Sequence, residues 1–164
     1  MNLRDQWTRA FGVAGLIAML VGAMDPLEGS VLIVFGSGLV ALGAFLTHDK
    51  RDLLAYRTVV FILIAAGVAA LWWDSSGGRS GRSMWWSVLL LPYPAGWIMA
   101  VWGPGLPRWF SWLALVVGAW YLVILTMVVV RDAQRQEPEL ALIFGVVGVL
   151  TIAGAVVRLR KPPA

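Results

Sequence analysis

Two stretches of this chain, Thr58–Trp73 and Trp109–Val130, contain no charged residue at all. The second is 22 residues long, and about 20 apolar residues suffice to carry an α-helix across ~30 Å of hydrocarbon. Phe11–Ala23 and Val31–Leu46 are similarly uncharged. A soluble domain of 164 residues has too little interior to hide so much apolar surface, because area falls slowly with size. Charged residues make up 13% of the chain and hydrophobic ones 60%, where a soluble domain carries about 25% charge. The mean hydropathy of +0.80 agrees.

The pattern predicts an all-α fold, a polytopic transmembrane helix bundle forming one integral membrane domain over residues 1–164. Six spans are read, at about 9–24, 26–47, 53–73, 84–102, 108–131 and 138–158. The first is the shortest and barely crosses the bilayer. It also imitates a signal peptide, with Arg4 and Arg9, an apolar stretch and a small-residue Val21-Gly22-Ala23. It is taken as a retained first helix.

Lysine and arginine set the expected orientation. With the N-terminus inside, nine basic residues fall on the inner side and four on the outer side, which predicts both termini in the cytoplasm. The net charge of +4 is explained by these basic loops, with no nucleic-acid partner. Tryptophans mark the interfaces: Trp72-Trp73 and Trp85-Trp86 flank one loop, Trp102 and Trp109 the opposite turn. Trp97 and Trp120 read better as core residues. Small residues recur every four positions (Ala14, Ala18, Gly22; Ser37, Ala41; Ala65, Ala69), a spacing that lets helices of one bundle approach closely. Phe-Gly-Val-x-Gly occurs at 11–15 and again at 144–148, too short a phrase to establish a repeat.

The polar break Met24-Asp25-Pro26-Leu27-Glu28-Gly29-Ser30 lies between two apolar runs. Aspartate caps helices, proline suits the first helical position, and an acid at the third can reach back to the cap. Capping alone is the preferred reading. The alternative is an ion or proton site at Asp25 and Glu28, since an acid close to hydrocarbon is costly.

Three further features carry alternatives. Asp74–Ser83 holds a doubled Gly-Arg-Ser, so Arg79 and Arg82 are candidates for an anion or lipid headgroup contact. A plain glycine-serine hairpin, with Ser83 capping the next helix, is favoured. Pro92-Tyr93-Pro94 falls near the middle of the fourth span and predicts a mid-membrane helix break freeing the carbonyls of Val88 and Leu90. A proline kink is the simpler account; a binding site at a discontinuous helix is the functional one. His48, the one histidine, sits in a charged turn and reads as a polar turn residue.

With no cysteine the chain offers no disulfide and no thiolate metal site. It shows neither a phosphate-binding glycine loop nor a Gly-x-Ser-x-Gly nucleophile turn. No cofactor and no metal are expected, and catalysis is disfavoured. The expected partners are the lipid bilayer and other membrane subunits, or further copies of this chain. The first expectation is therefore a non-enzymatic accessory or scaffolding subunit, with a bacterial inner membrane suggested by the short loops. The second is a small ion- or proton-coupled transporter or channel acting as a homo-oligomer. A lipid-handling enzyme using Arg79 and Arg82 is least supported, because no general base accompanies them.

Overall fold

The computed structural model describes residues 3–25, 28–47, 51–75, 91–131 and 138–160. Among these residues the chain is all-helical and contains no strand. The helices are α1 (Leu3–Met24), α2 (Ser30–Thr47), α3 (Arg51–Ser75), α4 (Pro92–Trp102), α5 (Arg108–Arg131) and α6 (Pro138–Arg160). Four of them contain segments long and apolar enough to cross a membrane: Gln6–Met24, Arg51–Trp73, Arg108–Met127 and Ile143–Arg160. The apolar part of α2, Ser30–Leu46, is shorter.

The shortfall in length therefore falls on a different helix from the one expected. α1 starts at Leu3, not near 9, because polar residues continue a helix beyond its apolar segment. Its 22 residues make about 33 Å of helix. α2 is 18 residues long, about 27 Å. α4 is described over 11 residues; the first part of the expected fourth span, 84–90, lies outside the described residues, as do Trp85 and Trp86.

The chain divides into two compact units, Met1–Ala100 and Val101–Ala164. In the first, α1 and α2 form an antiparallel hairpin held by glycine. Gly15, Gly22, Gly29, Gly36 and Gly43 recur at intervals of seven. A Cβ added to Gly36 would lie 2.5 Å from the Gly15 carbonyl oxygen, and one added to Gly15 would lie 2.5 Å from that of Gly36. Gly22 likewise faces Gly29 and Ile33, and Gly43 faces Thr8. Only a hydrogen side chain allows two backbones to come this close, and in an apolar solvent such contact, not hydrophobicity, drives helix pairing.

This seam differs from the four-residue stripes expected. Of the expected residues Gly22 and Ser37 are buried, Ala18, Ala41 and Ala65 are half-buried, and Ala14 and Ala69 are exposed, while Gly15, Met19, Ile64 and Gly67 are buried outside those stripes. A four-residue row winds around the helix, whereas a seven-residue repeat returns close to the same face after two turns.

α3 packs antiparallel to α2, with Gly38 against Phe61. α4 packs antiparallel to α3: Gly67 faces Tyr93, Gly96 faces Ile64, and the Tyr56 hydroxyl donates to the Met99 carbonyl at 2.6 Å. Within this unit the start of α1, the end of α2, the start of α3 and Met99 of α4 share one end. The α1–α2 turn, Trp72, Trp73 and the start of α4 lie toward the other.

In the second unit α5 and α6 are antiparallel. Gly118 and Gly148 face each other across the pair, and the rings of Tyr121 and Phe144 meet edge to face at 6.0 Å. Trp120 is 37% exposed, not a core residue as expected, while Trp97 in the first unit is 2% exposed as read. The difference follows from helix phase: Trp120 stands about 60° from Val117 and about 100° from Tyr121 around α5, at the edge of the buried face.

Candidate functional site

The Asp25 turn has the geometry of a helix cap. The Asp25 carboxylate accepts the Glu28 N–H at 3.2 Å, and the Asp25 carbonyl accepts the Gly29 N–H at 2.7 Å. Both are bonds that an N-cap residue makes, one from its side chain to the third helical position and one from its carbonyl as the first helical bond. Both acids are exposed. Two carboxylates at the amino end of α2 also complement its dipole. Pro26 and Leu27 lie outside the described residues.

At α4 the prolines occupy unusual positions for a helix break. Ala95 donates to the Leu91 carbonyl at 3.1 Å, which makes Leu91 the cap and places Pro92, Tyr93 and Pro94 in the first turn. The first turn is where a helix has no intrahelical use for a backbone N–H, so neither proline costs α4 a hydrogen bond. Val88 and Leu90 are outside the described residues. The register also shifts the feature: Tyr93 sits at Gly67, six residues or about 9 Å from Trp73 along α3. Gly67 has to be glycine here, because the Tyr93 backbone occupies the place of its Cβ.

Arg79, Arg82 and His48 lie outside the described residues, so the expected anion contact and the histidine turn have no geometry to report. Among the described residues no group of three or more His, Cys, Asp or Glu side chains comes together to hold a metal ion. Asp25 and Glu28 are brought together by the cap; the Pro92–Pro94 turn is a separate feature on α4.

Two polar arrangements were not anticipated. In the first unit Arg57, six residues into α3, donates to the Val40 carbonyl of α2 at 3.4 Å. In the second unit the Gly103–Pro107 turn is held by Arg158, whose guanidinium donates to the Gly103 carbonyl and, at 3.2 Å, to that of Leu106. Arg108 returns the contact, donating to the Leu159 carbonyl at 3.2 Å. The turn exposes carbonyls because Pro104 and Pro107 interrupt any helix, and Gly105 takes a positive φ of 74° as the third residue of a Pro-Gly turn. The sequence signal for this was the Gly-Pro-Gly-Leu-Pro run itself, a concentration of orphan carbonyls facing a helix rich in arginine at its end.

Polar side chains within the apolar helices turn to their own backbone. Ser37 donates to Val34, and Thr126 to Leu122 and Val123, which satisfies a hydroxyl where no water is at hand. Trp102 donates its indole N–H to the Leu150 carbonyl at 3.0 Å, lying over Gly154. No family model, no curated protein and no solved structure matches this chain.

Proposed function

We propose that this is a non-enzymatic accessory or scaffolding subunit of a larger membrane complex, with six spans, both termini cytoplasmic, in a bacterial inner membrane. The observation that carries this reading is how little of each candidate span the chain covers itself. Between 22% and 33% of the residues in each are buried within the chain. The remainder includes wide apolar surface, such as Ile62, Trp72, Trp112 and Val116, suited to lipid or to helices of a partner. Glycine seams supply rigidity within each hairpin at little cost in outward surface. The basic residues Arg9, Arg51 and Arg57 share one end of the first unit, which supports the orientation.

A small transporter is the second reading, favoured by the amino end of α4 opening about 9 Å inside the Trp73 end of α3. Gentle purification from the native membrane separates the two. A stoichiometric foreign subunit is expected; a homo-oligomer purified alone sinks the accessory reading. Asp25→Asn sharpens the comparison, because asparagine also caps. Unchanged assembly and growth are expected, and a selective loss of transport at normal expression would favour the coupled transporter.

A further inference from the structure

The end of the second unit where α5 begins and α6 finishes is strongly basic. Arg108, Arg158 and Arg160 come from two chain segments, and the first two are interlocked: Arg158 reaches the Gly103 and Leu106 carbonyls and Arg108 reaches the Leu159 carbonyl. Those bonds hold the two ends together and fix Arg158 in the turn, while Arg108 and Arg160 stay exposed. Among the described residues no acidic side chain of this unit lies near. Glu139 is in the first turn of α6, a helix of 23 residues, so it sits about 30 Å away along the axis. Asp132 and Glu137 belong by sequence to the same far connection.

The surroundings are amphipathic. Trp109, next to Arg108, packs edge to face on the fully buried Phe110 at 6.1 Å. Trp112, one turn into α5, is 62% exposed, and Val157 on α6 is also exposed. An exposed indole one helical turn from Arg108 and an exposed valine one turn from Arg160 match a molecule with an anionic head and acyl tails. They do not match a small free anion, which needs no apolar wall.

We propose that Arg108 and Arg160, positioned by the Arg158-braced turn, bind the phosphate of an acidic phospholipid. Arginine suits this task because its planar fork can give two parallel hydrogen bonds to one phosphate, where lysine acts as a point charge. The amino end of α5 adds its positive dipole end to the same place. Arg158 is a positioning residue here, since both arms of its half-buried guanidinium are engaged on backbone carbonyls, whereas the exposed Arg108 commits one arm to the Leu159 carbonyl and keeps the other for a ligand.

The test is a lipid competition on the full chain, purified in detergent and exchanged into mixed micelles of phosphatidylglycerol and phosphatidylcholine, with retained lipid measured by mass spectrometry. The natural chain is expected to retain phosphatidylglycerol with about tenfold preference, the effect of one charge-assisted phosphate pair. R108Q/R160Q should lose that preference, and R108K/R160K should keep part of it. R9Q/R51Q removes the same charge elsewhere and should change nothing.

Equal retention of the two lipids by the natural chain overturns the proposal. So does an unchanged preference in R108Q/R160Q, or an equal loss in R9Q/R51Q, which would mean diffuse attraction. Displacement of the lipid by inorganic phosphate would reassign the site to a free anion and also overturn it. Should R108Q/R160Q fail to fold in phosphatidylcholine alone, R160Q on its exposed side chain decides: a reduced preference supports the site, an unchanged one rejects it.

Discussion

At the scale of single residues, glycine position matters more here than glycine content. A Cβ at Gly36 meets the Gly15 carbonyl oxygen at 2.5 Å and the Met19 backbone nitrogen at 2.8 Å, so relief requires the two helix backbones to move apart. Gly36→Ala should cost about 1–3 kcal/mol by overpacking. Gly12, three residues from Gly15 on the same helix, has nothing within 4 Å of its Cβ position. Gly12→Ala should be neutral or stabilise by about 0.5–1 kcal/mol, since alanine loses less conformational freedom. Reversible denaturant unfolding in mixed micelles measures both; equal effects at the two positions would mean that the seam does not govern the hairpin. Asp25 belongs to this scale too. Its carboxylate replaces a missing helical partner for the Glu28 N–H, and its removal as Asp25→Ala should cost about 1 kcal/mol in the same assay.

At the scale of elements, the ends of helices are tied by side chains, not by regular backbone bonds. The last turn of a helix leaves four carbonyls without partners. Tyr56 takes that of Met99 on α4, and Arg158 takes those of Gly103 and Leu106 just beyond it. Tyr56→Phe should cost about 1 kcal/mol and Arg158→Gln about 2 kcal/mol, in line with neutral and charged donors. The start of α4 makes the opposite prediction. Pro92 and Pro94 occupy first-turn positions where proline is tolerated, so P92A/P94A should leave unfolding within about 0.5 kcal/mol of the natural chain. Gly67→Ala, against the Tyr93 backbone, should destabilise the same helix pair more than both prolines together. A large proline effect with a small glycine effect would contradict the packing described for α3 and α4.

At the scale of the molecule, the proposed orientation has a direct measurement. The natural chain contains no cysteine, so single-cysteine variants in intact cells or spheroplasts report accessibility without background. Labels at Asn2 and Lys161 should be protected from a membrane-impermeant reagent added outside. Labels at Glu28 and Arg79 should react. Reaction at both Asn2 and Glu28 would mean that α1 lies along the membrane and does not cross it, and the reading of six spans would fall to five.

Composition and long uncharged runs were enough to foresee that the described residues are helical and hold segments long and apolar enough to cross a membrane, because the cost of burying charge in hydrocarbon acts on each residue separately and needs no partner. The Asp25 cap was also legible, since every group in it lies within four residues. Other features depended on which helix meets which. The seven-residue glycine spacing stands in the sequence but is not marked out as the seam until Gly36 is seen beside Gly15, because helix pairing chooses one face out of several that look equally small. The same holds for the register that places Tyr93 at Gly67, and for the pairing of Arg158 with a turn more than fifty residues earlier. A carbonyl left open by proline in one segment has no local signature in the arginine that fills it. Sequence thus determined the solvent this chain lives in and the ends of its helices; the tertiary structure alone decided which faces close on one another and which remain outward, because close packing in lipid depends on shape matched between distant segments.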